Sequence, residues 1–341
     1  MRDPYPLLRS LLFQLPPEMA HGLGLHSLRL SEACGLAGLL AGPPAPRPLT
    51  RMGLYFPNPL GVAAGLDKDG IAVRALFALG FGSVEVGTVT PRPQPGNPAP
   101  RLFRLKPHQA LINRMGFNNA GMHALANRLE KLRRHPLPGV LGVNLGRNKS
   151  TSNEDAASDY LAGMDCLYPL ADYLAVNISS PNTPGLRELQ AASALRALLE
   201  PLKEAQSRLA TRHARYVPLV LKVAPDLEAA EIQEISELLL QLELDGLIAT
   251  NTTRSRTEVA GHAHAAEEGG LSGRPLEARS LDVLRQFSRQ LEGRICLIAA
   301  GGLHDAAGAR ARLDAGADLL QVYTAFIYQG PALVRRILAD L

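Results

Sequence analysis

The chain has 341 residues, of which 46% are hydrophobic and 20% are charged. These are the proportions of a packed globular protein, and an α/β barrel often fills such a length alone. The formal net charge of +4 is mildly basic, which fits an anionic substrate, acidic lipid or RNA and selects none of them. The absence of Trp and the low aromatic content argue against a platform that stacks nucleic-acid bases.

Cysteine usage and hydropathy limit the class of protein further. Cys34, Cys166 and Cys296 stand far apart and without metal-ligand spacing, and such an odd, sparse set is a poor disulfide framework. We therefore expect a reducing compartment and no metal site. No apolar run reaches the ~18–20 residues that span a bilayer. The first residues also lack the apolar core and cleavage site of a signal peptide, so none is predicted.

Residues 1–45 differ from the rest of the chain because leucines recur at helical spacing between positions 7 and 15. Arg2 and Arg9 flank these leucines, Pro16 ends the first helix, and Pro17 can begin a second one. A Gly/Pro-rich stretch at 42–46 is typical of a linker. The pattern fits a docking element and an interfacial membrane helix equally well.

After the linker, eight short apolar runs alternate with helical patterns. The runs lie at 60–64, 83–86, 140–145, 173–178, 219–223, 246–249, 295–299 and 319–322. The helical patterns lie near 70–79, 121–134, 154–168, 187–210, 226–243, 276–291, 304–315 and 331–340. Eight strands that are each followed by a helix predict a (β/α)8 TIM barrel over 46–341. A doubly wound sheet is disfavoured because no G-x-G-x-x-G turn follows the first strand.

The carboxyl ends of the predicted strands carry an unusual set of side chains, and barrel active sites lie at those ends. The set consists of amides, hydroxyls and two ammonium groups: Lys68, Thr88, Asn144, Asn177, Lys222, Thr250, Asn251 and Thr252. Asparagine suits rings with alternating N–H and C=O edges, such as an isoalloxazine or a pyrimidine. Lysine suits a phosphate, a carboxylate or a reduced flavin. A single Asn at a strand end is more often a turn residue, but polar groups at six ends favour a binding site.

Glycines and a long loop lie near the same end. The pairs Gly269-Gly270, Gly301-Gly302 and Tyr323-Thr324 flank the last strands, where barrels commonly bind phosphate, although tight turns are the plain alternative. The Pro-rich connection at 91–115 is long enough to suggest a function. The segment 113–119 after it could cap a planar ligand or anchor the loop through Phe117. His262 and His264 are predicted to lie in a flexible loop that faces solvent.

Six strings resemble those of class 2 dihydroorotate dehydrogenases, and the resemblance covers essentially the whole chain, including the leucine-rich leader. They are AGLDKDG (64–70), GTVTPRPQPGN (87–97), NRMGFNN (113–119), NISSPNTPG (177–185), KVAPD (222–226) and GGLSGRP (269–275). Motifs of this length are far more specific than a lone glycine pattern. The resemblance implies oxidation of dihydroorotate to orotate in the pyrimidine pathway, with bound FMN and a quinone acceptor.

The resemblance also implies which residues bind each ligand. The residues expected to hold FMN are Ala64, Gly65, Leu66, Asp67, Lys68, Thr88, Asn144, Asn177, Lys222, Thr250, Gly273, Gly302, Tyr323 and Thr324. Thr324 stands where relatives often carry Ser, which keeps a hydroxyl. The residues expected to hold dihydroorotate are Lys68, Asn113, Arg114, Met115, Gly116, Phe117, Asn177, Asn182, Asn251 and Thr252. The substrate carboxylate needs cationic or multi-donor partners, which Lys68 and the asparagines supply.

Ser180 stands where class 2 members of the family place the catalytic base and class 1 members place Cys. The strand pattern alone does not choose between Ser179 and Ser180. The implied chemistry is removal of the C5 proton by Ser180 and transfer of a hydride from C6 to flavin N5. A serine hydroxyl is a weak base, so its proton must move on, and Thr183 is a candidate relay because it is near in the loop.

The resemblance gives the leader a role as well. In this family it forms two helices that lie on the bilayer and frame a quinone tunnel, with His21 and Arg104 near the quinone. Amphipathic leucines flanked by arginines suit that position. We expect a monomer that is bound peripherally to the cytoplasmic side of a bacterial cell membrane. Its expected partners are dihydroorotate, quinone and lipid, and no nucleic acid.

Two alternatives compete with this interpretation. A flavin barrel that reduces uridine in transfer RNA would need a Cys acid near the flavin and a basic RNA-facing domain, and the sequence indicates neither. A non-enzymatic membrane-docking barrel with a vestigial phosphate site would not take up FMN. The fold by itself does not distinguish these functions, because barrels host many chemistries.

Overall fold

A computed structural model describes residues 4–38 and 46–341 of the chain. Its strands are β1 (Leu49–Arg51), β2 (Leu54–Phe56), β3 (Leu60–Val62), β4 (Ser83–Val89), β5 (Leu102–Leu105), β6 (Ala110–Asn113), β7 (Val140–Leu145), β8 (Tyr173–Asn177), β9 (Leu219–Val223), β10 (Gly246–Ala249), β11 (Gly270–Gly273), β12 (Cys296–Ala300) and β13 (Leu319–Val322). The strands β3, β4, β7, β8, β9, β10, β12 and β13 form a closed parallel barrel in that order. The predicted (β/α)8 TIM barrel is confirmed.

Helices alternate with the barrel strands and cover the outside of the barrel. They are α1 (Tyr5–Leu12), α2 (Pro17–Ala33), α3 (Val73–Ala78), α4 (Met122–Arg133), α5 (Ala156–Leu167), α6 (Ala192–His213), α7 (Ala229–Gln241), α8 (Glu277–Leu291), α9 (Ala306–Asp314), α10 (Thr324–Gln329) and α11 (Ala332–Ala339). The short helix α10 follows the last barrel strand directly and was not predicted. Pro17 is the first residue of α2, as the sequence indicated.

The sequence forms these layers because its barrel strands are mainly apolar and its helices are apolar on one side. Every residue of β4, β7, β8 and β9 is buried, as expected for parallel strands covered on both faces. In α8, the buried residues Val283, Leu284, Phe287 and Leu291 recur at helical spacing and face the barrel core. The ends of four predicted strands move by one to three residues: β3 stops at Val62, β4 continues to Val89, β8 stops at Asn177 and β12 runs from Cys296 to Ala300.

The hairpin of β1 and β2 closes the amino-terminal end of the barrel. Leu49 pairs with Phe56 in an antiparallel register, and Phe56 is fully buried in a cluster with residues of the barrel interior such as Tyr173 and Ile298. Because apolar side chains plug this end in the described part of the chain, the opposite, carboxyl-terminal end is where a ligand site is expected.

The sequence suggested that the long connection at 91–115 is a loop, but the structure shows that it also contains strands. It contains β5 and β6, which pair as an antiparallel hairpin, and β11 adds to β6 from a distant part of the chain. Gly270 of β11 is opposite Asn113 of β6. This small sheet fixes the segment that follows β6 beside the carboxyl ends of the barrel strands.

The leader helices α1 and α2 pack on the barrel and still expose many apolar side chains. Leu7 is 78% exposed, Leu11 63% and Leu30 66%, whereas Leu25 is buried against Ala72 and Ala75. The proposed boundary at 45 and most of the predicted linker at 42–46 fall outside the described residues. Within those residues, every helix is too short or too polar to cross a lipid bilayer.

Candidate active site

A cavity opens at the carboxyl ends of the barrel strands, and most of the residues predicted to bind ligands line it. The predicted residues in its wall are Ala64, Gly65, Lys68, Thr88, Asn113, Met115, Gly116, Phe117, Asn177, Ser180, Asn182, Lys222, Thr250, Asn251, Thr252, Gly273, Gly302, Tyr323 and Thr324. They come from the ends of barrel strands and from the loops around the small sheet. The barrel closes these distant segments around one space, as its topology requires.

Polar side chains of β4, β7 and β8 form one buried hydrogen-bonded unit beside this cavity. The Thr88 hydroxyl donates to Asn144 Oδ1 at 2.5 Å. Asn177 Nδ2 donates to Thr88 Oγ1 at 2.9 Å and to Asn144 Oδ1 at 3.0 Å. All three side chains are buried, so their orientation is fixed before any ligand binds.

The network continues to β10 through Asn251. Its Nδ2 donates to Asn177 Oδ1 at 3.3 Å and to Ser179 Oγ at 3.1 Å, and its Oδ1 accepts the Thr252 backbone N–H at 2.8 Å. Donors and acceptors at the cavity wall therefore belong to one connected set. Such a set recognises the N–H and C=O edges of a planar ring by position.

Lys68 brings a cationic group to the cavity from the loop after β3. Its ammonium donates to Asn118 Oδ1 at 2.5 Å. Burial, reinforced by the charge of Arg101, lowers the Lys68 pKa to about 8, while Glu18 and Asp69 act in the opposite direction. Lys68 is therefore mainly cationic at neutral pH and can bind an anionic ligand there. The sequence analysis did not assign a role to Asn118, although it belongs to the quoted 113–119 string.

Ser180 and Ser179 have different surroundings. The Ser180 oxygen accepts the Asn182 backbone N–H at 3.2 Å, and Ser180 lines the cavity. Ser179 is fully buried, and its hydroxyl belongs to the amide network behind the wall. The geometry thus favours Ser180 as the serine that a ligand can touch. Within the described residues no hydrogen bond joins Thr183 to Ser180, so the proton relay through Thr183 stays a prediction.

Lys222 lies on β9 at the floor of the cavity, and its nearest carboxylate was not predicted from sequence. Lys222 Nζ lies 3.9 Å from Glu85 Oε1 of β4, and both side chains are almost fully buried. Burial lowers the Lys222 pKa and the charge of Glu85 opposes that shift. The available signal was a carboxylate inside an otherwise apolar strand, which is costly unless it is paired.

Glycines and hydroxyls form the wall near β11, β12 and β13. Gly273 and Gly302 have φ angles of 96° and 70°, and a Cβ on either would lie 2.3 Å from backbone atoms. Only glycine fits these positions, and the backbone there can approach a ligand closely. The Ser272 and Thr324 hydroxyl oxygens are 2.8 Å apart. This neutral donor set suits an anionic group such as a phosphate.

Some predicted ligand residues lie outside the cavity wall. Asn144 is buried behind Thr88. The Asp67 carboxylate accepts the backbone N–H groups of Ile71 and Ala72 at 2.8 and 2.7 Å, which shapes the loop that carries Lys68. The side chains of Asn144 and Asp67 therefore support neighbouring groups and do not themselves line the cavity.

Arg114 is also directed away from the cavity. Its guanidinium pairs with Glu267 at 2.6 Å and lies 4.7 Å from the centre of the Phe103 ring. Its predicted substrate role stays a prediction. A different arginine was missed: Arg187 donates to the backbone carbonyls of Ser179 at 3.1 Å and Thr252 at 2.8 Å. Arg187 lies in a short 3-10 helix (Leu186–Gln190), and its place in a helical pattern gave no signal of such long-range contacts.

A second cavity of about 360 Å³ lies between the leader helices and the barrel. It is lined mainly by apolar residues of both parts, and it also contains His21 and Arg104, the two predicted quinone residues. Leu66 lines this cavity, whereas its neighbours Gly65 and Lys68 line the first one. The loop after β3 is therefore a shared wall between the two cavities.

His21 and Arg104 are two of the polar residues that line this second cavity, together with Tyr5, Ser27 and Ser31. Burial and the nearby charge of Lys68 lower the His21 pKa to about 4, so the imidazole is neutral at physiological pH. Arg104 donates to the backbone carbonyls of Phe13 at 3.2 Å and Leu15 at 3.0 Å, and its guanidinium lies 4.6 Å from the Phe13 ring centre. Arg104 thereby connects the leader to the small sheet.

Two sequence interpretations concern groups outside both cavities. His262 and His264, predicted to face solvent, are partly exposed and also contact other rings: their ring centres are 5.6 Å apart, and His264 packs against Phe103. In the described part of the chain, no three His, Cys, Asp or Glu residues are arranged to hold a metal ion. Cys166 and Cys296 lie outside the first cavity, which disfavours a flavin barrel with a Cys acid.

Comparisons with known proteins identify the family. Residues 49–341 match the family described as Dihydroorotate dehydrogenase. A Flavobacterium lutescens protein named Dihydroorotate dehydrogenase (quinone) is 54% identical, and the match covers 97% of this chain and 94% of that protein. A protein of the same name from Edwardsiella ictaluri is 51% identical over 98% of each chain.

Solved structures agree with the sequence comparisons. Ligand-free DHODH from Eimeria tenella superimposes with a TM-score of 0.87 at 39% identity, covering 95% of this chain and 93% of that one. DHODH of the same organism in complex with ferulenol gives a TM-score of 0.86 at 38% identity, covering 95% of this chain and 90% of that one. These matches confirm the resemblance drawn from the six strings. The chain belongs to the dihydroorotate dehydrogenase family.

Proposed function

We propose that the protein oxidises dihydroorotate to orotate in pyrimidine biosynthesis, with FMN as its cofactor and a membrane quinone as the final electron acceptor. The observation that carries this proposal is the strand-end cavity. It gathers Lys68, a chain of oriented amides and Ser180 around one space. The relatives named Dihydroorotate dehydrogenase (quinone) support the same substrate and acceptor.

The residues at the cavity fit FMN and dihydroorotate together. Asn182 Oδ1 and Gln321 Oε1 are buried and accept no hydrogen bond from the described residues, yet both residues line the cavity. Unpaired buried acceptors are costly, and both ligands carry ring N–H groups that can satisfy them. The wall of Gly273, Gly302 and Thr324 suits the cofactor phosphate. FMN, when bound, supplies the acceptor for the hydride that leaves C6.

The protein side chains hold the substrate and remove its proton. Lys68 binds the dihydroorotate carboxylate as an ammonium group, and Asn113, Asn182 and Asn251 orient the ring through its amide edges. Ser180 then takes the C5 proton and passes its own hydroxyl proton on, with Thr183 as the candidate relay to water. Its oxygen lines the cavity and accepts the Asn182 N–H, which holds its orientation. The burial of this wall excludes water from the reacting atoms.

The second cavity is the proposed quinone site. It is apolar and about 360 Å³ in volume, and neutral His21 and cationic Arg104 supply its polar contacts. The exposed leucines of α1 and α2 then lie in the lipid, with the protein bound peripherally to the cytoplasmic face of a bacterial membrane as a monomer. In this arrangement residues 1–45 form a leader element and 46–341 the catalytic barrel.

Anaerobic spectroscopy tests this function. Dihydroorotate should bleach the flavin absorbance of the purified yellow protein, orotate should form, and a quinone in detergent micelles should restore the colour. Dihydrouracil, which lacks the carboxylate that Lys68 binds, should bleach the flavin much more slowly. A protein that binds no FMN, or whose FMN dihydroorotate does not bleach, contradicts the proposal. Bleaching without reoxidation by quinone would reject the acceptor alone.

A further inference from the structure

Glu85 is a fully buried carboxylate inside the barrel, beneath the proposed flavin site. Asn144 Nδ2 donates to its Oε1 at 2.9 Å. The Tyr173 hydroxyl and Gln321 Nε2 donate to its Oε2 at 2.7 and 2.8 Å. Lys222 Nζ lies 3.9 Å from Oε1. One side chain therefore contacts groups from four other strands or strand ends at the cavity floor.

A carboxylate accepts hydrogen bonds and donates none, so it dictates which way its amide neighbours face. Asn144 must turn its NH2 group to Glu85, which leaves Asn144 Oδ1 to accept from Thr88 and Asn177. The direction then passes along the network to Asn251. Gln321 is likewise held with its NH2 group toward Glu85, and its Oε1 is the buried acceptor without a partner.

Glu85 also supplies the carboxylate that faces Lys222 at the cavity floor. A buried ammonium group without a counter-ion loses its proton, because desolvation penalises the charged form. The 3.9 Å separation is too long for a good hydrogen bond, so the ammonium donors of Lys222 stay available to a ligand in the cavity.

We propose that Glu85 is a positioning residue of the flavin site. Without touching a ligand, this one carboxylate fixes the polarity of the Asn144 and Gln321 amides and, at 3.9 Å, favours the ammonium form of Lys222. The inference rests on the proposed function in that FMN is the ligand that these groups meet. Because the reduced flavin is more negative than the oxidised form, a cationic Lys222 stabilises the reduced form preferentially.

The first test replaces the carboxylate with a neutral group of the same shape. Glu85→Gln has a single NH2 group, which faces the NH2 group of either Asn144 or Gln321 because these bond to different oxygens of the carboxylate. The substitution also removes the counter-ion of Lys222. We expect FMN to bind the apoprotein at least about tenfold more weakly, measured by flavin fluorescence. Reduced flavin should lose about a further tenfold, which lowers the midpoint potential by about 30 mV for a two-electron couple.

Tyr173→Phe is the matched control, because it removes a buried hydrogen bond to the same carboxylate and keeps the charge. Its midpoint potential should equal that of the wild type. The inference is overturned if Glu85→Gln folds, binds FMN and keeps the wild-type potential. It is also overturned if Tyr173→Phe lowers the potential as much as Glu85→Gln, since the effect would then come from general damage to the network.

A second test of the pairing between Glu85 and Lys222 can be carried out even if Glu85→Gln does not fold. Lys222→Met leaves Glu85 buried without its cation, whereas Lys222→Met combined with Glu85→Gln leaves neither charge unpaired. Removing one partner of a buried pair is costly, and removing both is much less so. Thermal unfolding of the apoproteins should therefore show a higher Tm for the double variant than for Lys222→Met. A double variant that is no more stable than Lys222→Met would reject the pairing.

The two tests also separate this inference from the proposed function. Unfolding of the apoprotein needs no FMN, so the pairing of Glu85 with Lys222 is measured even if the cofactor is wrong. Conversely, dihydroorotate could bleach the flavin of the wild-type protein while Glu85→Gln keeps an unchanged midpoint potential. That result would support the proposed function and refute only the role of Glu85.

Discussion

The charge of Lys68 should make dihydroorotate binding depend on pH near 8. The ordinary pKa of a lysine is 10.5, and burial and Arg101 lower that of Lys68 to about 8. Because the pKa is lowered, the ammonium form predominates below pH 8 and the neutral amine above it. Affinity for the substrate carboxylate should be fully present near pH 7 and fall as pH rises through 8. At pH 9 the apparent dissociation constant should be about tenfold larger than at pH 7.

Substitution of Glu18, on leader helix α2, should shift the pKa of Lys68. Its carboxylate pairs with Arg101 at 3.0 Å and raises the pKa of Lys68. In Glu18→Gln the charge of Arg101 acts on Lys68 with only Asp69 opposing it, so the loss of affinity should begin at lower pH. A partly exposed charge of this kind contributes about 0.2–1 kcal/mol. At 1.36 kcal/mol per pH unit, the curve should move down by about 0.1–0.7 of a unit.

The assay is anaerobic stopped-flow reduction of the flavin, from which the half-saturating dihydroorotate concentration is taken at each pH from 6.5 to 9.5. Glu32→Gln is the control, because it removes a carboxylate of the same helix that is not among the charges acting on Lys68. The reasoning is refuted if the wild-type concentration stays constant up to pH 9.5, or if the two variants give the same curve.

Three further predictions concern other parts of the molecule. Arg187→Met frees two backbone carbonyls beside Ser180 and the substrate residues, and flavin reduction should slow about 10–100-fold with FMN content unchanged; an unchanged rate would contradict this. Gly142→Ala places a Cβ 2.2 Å from the Tyr173 ring, and the free energy of unfolding should fall by about 1–3 kcal/mol in denaturant titration, whereas wild-type stability would show the packing to be wrong. Arg104→Met should raise the KM for quinone about tenfold and leave anaerobic bleaching unaffected; an unchanged KM would reject the quinone site.

The barrel was predictable because its signal is local. Each strand is an apolar run and each helix has an apolar face, so order and number could be read along the chain. The small sheet was not predictable, because β11 at Gly270 pairs with β6 at Asn113, which lies far away in the sequence. In addition, the four residues of β11 are rich in glycine and show no periodic pattern. The helix α10 is only one or two turns long and gave no periodic signal for the same reason.

The candidate site was predictable where residues at strand ends carry their own chemistry, as with Lys68, Asn177 and Lys222. Glu85 was missed because β4 is buried on both faces, and the sequence of such a strand does not reveal which residues point into the barrel. Asn118 lay in a recognised string, but its contact with Lys68 depends on the path of a long loop. Whether a polar residue binds a ligand or supports its neighbour is decided in three dimensions.

Single-turnover reduction of the flavin by dihydroorotate in Ser180→Ala tests the central claim most directly. If Ser180 is the base in this cavity, the variant should keep its FMN and its half-saturating dihydroorotate concentration. Its reduction rate at neutral pH should fall by about 10²-fold or more. Reduction at the wild-type rate would show that another group takes the C5 proton, and the assignment of this cavity's chemistry would be wrong.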